Sequence, residues 1–176
     1  MELSVDATNI SKPRRLGRHF ITDHLSGRRK FSPNALKRIE DALAGGERQH
    51  AGQVRFCVEA SLPLAQVFRG LQPRARALQL FGQLGVWDTE HNNGVLVYVL
   101  LADRDVEIIA DRGINRRVPQ EAWEAICRAM EHAFAEGRFE DGAIDGVTAI
   151  GELLSQHFPR TAESGPNELP DTPVVL

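Results

Sequence analysis

Only two cysteines, two methionines, two tryptophans and one tyrosine occur among the 176 residues, and each scarcity removes a class of protein. Cys57 and Cys127 have no second Cys or His at metal-like spacing, which argues against a disulfide framework or a thiolate zinc site and leaves two small hydrophobes of a reducing compartment. Long apolar runs are missing, and none approaches the ~20 residues that span a bilayer. The start Met1-Glu-Leu-Ser-Val-Asp has no basic stretch followed by an apolar one, so a cytoplasmic, soluble protein is expected. A Gly-rich phosphate loop with a Lys, a clustered His pair and a Cys followed by Arg at phosphatase spacing are all absent. So is any aromatic-rich basic strand or recognition helix, and nucleic acid is not an expected partner. There are no internal repeats.

What is present is enough for one ordinary domain, with its charge segregated. Hydrophobic residues at 42% and charged residues at 26% suit a single globular unit. The formal charge of −3 hides an asymmetry: residues 1–50 hold ten Lys or Arg against six acids, and the remainder holds eleven against eighteen. Leu16, Phe20, Ile21 and Leu25 are spaced for a short amphipathic helix over Arg14 to Leu25. Arg14, Arg15, Arg18, Arg28, Arg29 and Lys30 flank those apolar side chains. That pattern suits an anionic inner membrane leaflet or an acidic partner, at roughly 1 kcal/mol per basic residue near the surface. The simpler alternative is a solvated helix face packed on the acidic remainder of the chain.

Ser32-Pro33 is a strong helix start, followed by Leu36, Ile39, Ala42 and Leu43 on one face, with Gly45-Gly46 expected to weaken or end the helix. Gln53 to Glu59 alternates Val54, Phe56 and Val58 against Arg55, Cys57 and Glu59, the period of a strand. Helical spacing returns over Pro73 to Leu84. This crossover predicts that the strand before it and the strand after it run parallel. Val95 to Ala102 is nearly continuous in aliphatic residues, as in a strand covered on both faces, and Asp103-Arg104-Asp105 is too short to return the chain other than antiparallel. Further helices are predicted over Pro119 to Glu136 and Asp141 to His157. The tail, with Pro166, Pro170 and Pro173, is expected to be mobile or extended. The organisation is therefore a basic segment over 1–31, an α/β domain over 32–159 and a flexible tail over 160–176.

The blocks Asn93-Gly94-Val-Leu-Val-Tyr-Val, Asp103-Arg104, Val106-Glu-Ile, Arg112-Gly113-Ile114 and Gly137-Arg-Phe-Glu-Asp-Gly-Ala-Ile-Asp-Gly146 resemble the TPM-domain family in order and spacing, over about residues 35–158. The resemblance implies a three-layer α/β/α sandwich with a small mixed β-sheet containing a hairpin. It also implies divalent-metal binding at polar loops in some members, and the family's phosphatase label implies an acid phosphatase-like phosphomonoesterase. Val86-Trp-Asp-Thr-Glu-His-Asn-Asn-Gly94 and Ala110-Asp-Arg-Gly-Ile114 resemble a short bacterial branch encoded beside a signal-bearing TPM protein and a LemA-type membrane protein. LemA-like and other TPM proteins are thereby implied as partners. The chain departs from many relatives in having Asn92-Asn93-Gly94 for Asp-Asn-Gly, Asn115 for a Glu, Asp111 for a Gly, and neither a signal peptide nor a membrane helix.

Hard cations such as Ca2+ or Mg2+ want several oxygen ligands, and Asp88, Glu90, Asn92, Asn93 and Asp111 are the candidates, with His91 and Arg112 beside them. The hairpin should bring Asp111-Arg112 back alongside Asn92-Asn93. The bland reading is that the amides satisfy turn geometry and Arg112 pairs with Asp88. Asp141 and Asp145 read as helix-dipole acids, and His132 and His157 as surface residues. Together these observations predict a non-catalytic or weakly catalytic TPM-fold interaction module at the cytoplasmic membrane surface, peripheral to the inner face. The alternative is a divalent-metal-dependent phosphatase using loop carboxylates.

Overall fold

A strand with aliphatic side chains on both faces needs a layer of helices over each, and strand β2 (Gly94–Leu100) has them: every one of its residues is buried. The computed structural model describes residues 12–22 and 29–176. Beside β2 lie β1 (Gln53–Glu59), β3 (Asp105–Ala110) and a short β4 (Val174–Val175), in the order β3-β2-β1-β4. β1 runs parallel to β2, with Val54 opposite Val95 and Val58 opposite Val99. β3 returns antiparallel, with Val97 opposite Ile108. The sheet is therefore mixed, with a hairpin, as the crossover and the short connection predicted.

Helices α2 (Pro33–Glu47), α6 (Gln120–Ala135) and α7 (Phe139–His157) cover one face. There Val54, Phe56, Val97 and Val99 pack with Ile39, Met130 and Ile150. Helices α1 (Lys12–Ile21), α3 (Leu64–Phe68) and α4 (Pro73–Gln83) lie on the other side, where Cys57, Leu96 and Tyr98 meet Leu62, Val67 and Leu80. A single turn, α5 (Arg112–Asn115), follows β3. Two helical layers with one sheet between them make the expected three-layer α/β/α sandwich. Both cysteines are free thiols.

Three local expectations are corrected. The first helix spans Lys12–Ile21 rather than beginning at Arg14, and its expected end, Leu25, lies outside the described residues. Gly45-Gly46 does not end the second helix, which runs on to Glu47. A side chain at Gly46 would lie 3.0 Å from the His50 ring and 3.8 Å from Gly151 Cα, so the small residue serves close packing of α2 on α7. The tail is extended, but it is docked rather than loose: Leu169 is buried, and Val174–Val175 pair in parallel with Cys57 and Val58. The proline-based reading missed this because the tail's bonds go to side chains and to a strand edge, which composition does not register.

Candidate functional site

Two backbone corners meet at one end of the β2–β3 hairpin. Asn92, with a left-handed φ of 52°, turns the chain into β2, a conformation Asn tolerates better than most residues. The Asp111 amide donates to the Gly94 carbonyl at 2.8 Å, and the Gly113 amide donates to the Asn92 carbonyl at 3.0 Å. Gly113 is required here, because a Cβ would run into the carbonyl oxygens of both Asn92 and His91. The side chains follow the backbone: Arg112 Nε donates to Asn92 Oδ1 at 2.9 Å. Arg112 thus bonds the neighbouring amide rather than the expected Asp88, which is exposed.

Asn93 is only 4% exposed. Its amide N–H donates to Thr89 Oγ1 at 3.1 Å and its Nδ2 to the Ala51 carbonyl, leaving Oδ1 buried without a protein partner. Asp111 Oδ1 accepts from the Arg112 amide at 2.6 Å as a helix cap, and its Oδ2 is also unpartnered. The corner therefore offers two free oxygens, from Asn93 and Asp111, while Asn92 is engaged and Asp88, Glu90 and His91 face solvent. Among the described residues no group of three or more His, Cys, Asp or Glu is placed to hold a metal ion. A Ca2+ or Mg2+ ion takes six or more oxygens, so these two could supply only a minority of the ligands of the divalent ion that the family resemblance implies.

Beside the corner runs an open groove of about 620 Å³ whose walls include His91, Asn93, Arg116, Arg117, Thr161 and Glu163. Arg116, Arg117 and the tail residues were not among the sequence candidates. Arg117, seated 4.9 Å from the Phe158 ring centroid, comes from the turn after α5 and the far wall from the tail, a pairing that only tertiary structure provides.

The opposite end of the hairpin holds the second polar constellation. Asp103 in the β2–β3 turn receives Arg15 Nε at 2.9 Å and faces His19 Nε2 at 3.2 Å. Burial pushes the Asp103 carboxyl up, but His19 and Arg15 outweigh it and hold the group below its ordinary range. Arg18 Nε donates to the Ala102 carbonyl at 2.8 Å. Of the six predicted surface cations, Arg15 and Arg18 therefore clamp α1 to the domain, and Arg28 lies outside the described residues. Arg14 and Arg29 are exposed, and Lys30 stands 4.5 Å from the Phe139 ring centroid. The cations are close enough to act on one another: after burial, Arg104 and Arg18 lower the Lys30 ammonium, and Arg104, Arg14 and Arg15 lower Arg18. The same clamp leaves Phe20 and Ile21 76% and 78% exposed, with Phe68 of the adjacent α3 75% exposed. Among the described residues no helix is long and apolar enough to cross a membrane.

Sequence reasoning also missed Glu59. It is 5% exposed, takes Arg76 Nε and Nη2 at 2.9 and 2.8 Å, and accepts the Tyr98 hydroxyl at 2.6 Å. A covered second face of β1 is the signal that predicts a buried partner for it.

The comparisons agree with this architecture. The NMR structure of the BA42 protein from the psychrophilic bacterium Bizionia argentinensis superimposes with a TM-score of 0.73 at 29% identity, over 83% of this chain and 95% of that one. No curated protein matches the chain. The TPM-domain family model matches residues 28–153, most of the length and all of the sandwich from α2 to the last turns of α7, and on that match the chain belongs to the TPM-domain family.

Proposed function

We propose that this protein is a non-catalytic TPM-fold interaction module that rests on an anionic membrane surface through α1. The observation that carries the reading is that α1 bears the exposed Phe20 and Ile21, next to α3 with its exposed Phe68, together with the exposed Arg14 and with Arg18, on which the charges of Arg14 and Arg104 act. Apolar side chains that enter the headgroup boundary and cations that meet its charge are the two components of peripheral binding. The Arg15–Asp103 pair holds this face outward instead of letting it collapse on the core. A LemA-like membrane protein or a second TPM protein is the partner to be met there, as the family resemblance implies.

Flotation with phosphatidylglycerol vesicles tests it. Wild type is expected to float at low salt and to be released as salt rises. The Arg14→Glu, Arg29→Glu pair reverses four charge units, and at roughly 1 kcal/mol per basic residue it should weaken binding more than tenfold. Phe20→Ser with Phe68→Ser should weaken binding without changing its salt dependence. Equal recovery of all variants, or equal binding to neutral vesicles, refutes the reading.

The rival is a metal-dependent phosphomonoesterase, and one observation favours it: the unpartnered oxygens of Asn93 and Asp111 at the same corner. Hydrolysis of a generic phosphomonoester that requires Mg2+ or Ca2+ and is lost in Asp111→Ala would establish it in place of the adaptor.

A further inference from the structure

Asn93 is the floor of the groove beside the hairpin corner. His91, Arg116, Arg117 and Glu163 along its walls are exposed, and Asn93 alone among the described lining residues is buried. Chemistry fixes the orientation of its side-chain amide: the Ala51 carbonyl can only accept, so Nδ2 faces Ala51 and Oδ1 is the atom left over. The Asn93 backbone is engaged too, its N–H on Thr89 Oγ1 and its carbonyl on the Gln53 amide at 3.0 Å. Oδ1 therefore calls for a donor that none of the described residues supplies.

Two guanidinium groups stand along the same groove. Arg117 lies 4.9 Å from the Phe158 ring centroid, with Nη1 3.5 Å from the His157 carbonyl, contacts that seat the side chain but leave its charge unmatched. Among the described residues neither Arg116 nor Arg117 forms an ion pair with a carboxylate. The far wall is anchored by Arg160, which donates to the Glu47 carbonyl at 2.9 Å and to the Gly165 carbonyl at 2.6 Å. That wall brings Glu163, the one acid among the described lining residues, while Phe158 and Pro159 give the groove an apolar stretch.

We propose that this groove binds the carboxylate end of a peptide, with Arg116 and Arg117 on the carboxylate, Asn93 Oδ1 on a main-chain N–H and Phe158 and Pro159 against a side chain. Planar guanidinium groups match a carboxylate with parallel N–H donors, and an amide oxygen is matched by an amide N–H. A phosphate group presents mainly acceptors, so it would leave Oδ1 unpaired and meet repulsion from Glu163. A bare cation would satisfy Oδ1 but would face the two arginines. At about 620 Å³ the groove has the size of a small-ligand site. It lies at the other end of the hairpin from the Asp103 clamp on α1, so peptide binding and vesicle binding can each fail alone.

Titration of the isotope-labelled full chain with N-acetyl-Ala-Leu, followed by nuclear magnetic resonance, tests this. Saturable shifts are expected at the Asn93 side-chain NH2, whose Oδ1 gains a donor, and at the Arg116 and Arg117 Nε–H signals. The same peptide with a C-terminal amide should bind about tenfold or more weakly, and so should the acid to the Arg116→Gln, Arg117→Gln pair. Both arginines are exposed, and unchanged core amide signals check that the pair keeps its fold. The ester analogue, in which the N–H between Ala and Leu is replaced by oxygen, removes the donor for Asn93 without altering the protein, and it too should bind more weakly. No shifts at these three residues up to about 10 mM peptide overturn the proposal. So does equal binding by the amide or the ester, or equal shifts with inorganic phosphate, Ca2+ or free alanine.

Discussion

Glu59 illustrates how a single residue is governed by what surrounds it rather than by its own polarity. Its carboxylate sits under α4 with both oxygens bound, two donors coming from Arg76 and one from Tyr98. Removing one member strands the rest: Arg76→Leu leaves a buried charge without its pair and should cost about 3–5 kcal/mol, whereas Tyr98→Phe removes one donor and should cost about 1–2 kcal/mol. Urea unfolding of the two variants checks both size and order. Tyr98 itself is held in its protonated form, first by burial and then by the Glu59 charge, so the network does not titrate through the phenol. At Gly113 the constraint is steric. Gly113→Ala should destabilise by about 1–3 kcal/mol, since neither the Asn92 nor the His91 carbonyl can give way without opening the corner, and chemical shifts of Asn92 and Arg112 should move with it.

Glycines within helices carry opposite signs at the scale of the element, and the structure separates them. In α7, a Cβ at Gly142 would lie 2.7 Å from Ala133 Cβ and 3.1 Å from the Phe134 ring, so Gly142→Ala must push α7 off α6. In α2, Gly45 has nothing nearer than the tip of Arg48 at 3.7 Å. Gly45→Ala should therefore stabilise by up to about 1 kcal/mol through helix propensity, while Gly142→Ala should destabilise by about 1–3 kcal/mol. Thermal melts that move in the same direction for both would refute the distinction. Elements also protect one another's edges. The free edge of β3 meets α6, where Glu131 accepts from the Val106 amide at 3.2 Å, so the sheet presents no bare strand on that side. The five longer helices, strands β1 to β3 and the hairpin were legible in the sequence because each rests on local periodicity and turn length, whereas the short α3, α5 and β4 were not read from it. The edge contacts were not, because they join residues such as Val106 and Glu131 that no period relates.

For the molecule as a whole, the same division holds for the candidate site. The meeting of Asp111-Arg112 with Asn92-Asn93 could be reasoned from hairpin geometry. The groove wall supplied by Arg116, Arg117 and the tail could not, nor could the use of Arg15 and Arg18 as clamps, because both depend on where distant segments dock. Acidic residues distributed by that docking also set how stability changes with pH. Burial, then Glu107, Glu131 and Asp103, pushes the Asp105 carboxyl up to about 7, and burial leads the rise of Glu107 and Glu131 as well. A carboxyl whose pKa is higher folded than unfolded stabilises fully below the unfolded value near 3.8, and that contribution is lost as pH climbs through about 7. Asp103 acts in reverse, its contribution being present above the unfolded value and lost only as acid protonates it. The protein should therefore be most stable on the acid side of neutrality and should weaken from pH ~5 to ~8. Asp105→Asn removes one titrating group from that slope, so its stability relative to wild type should be higher at pH ~8 than at pH ~5 by about 2 kcal/mol, at ~1.4 kcal/mol per unit and reduced for partial exposure. Parallel stability curves for the two proteins across that range would show that Asp105 is ionised throughout and that the acidic cluster does not govern the slope.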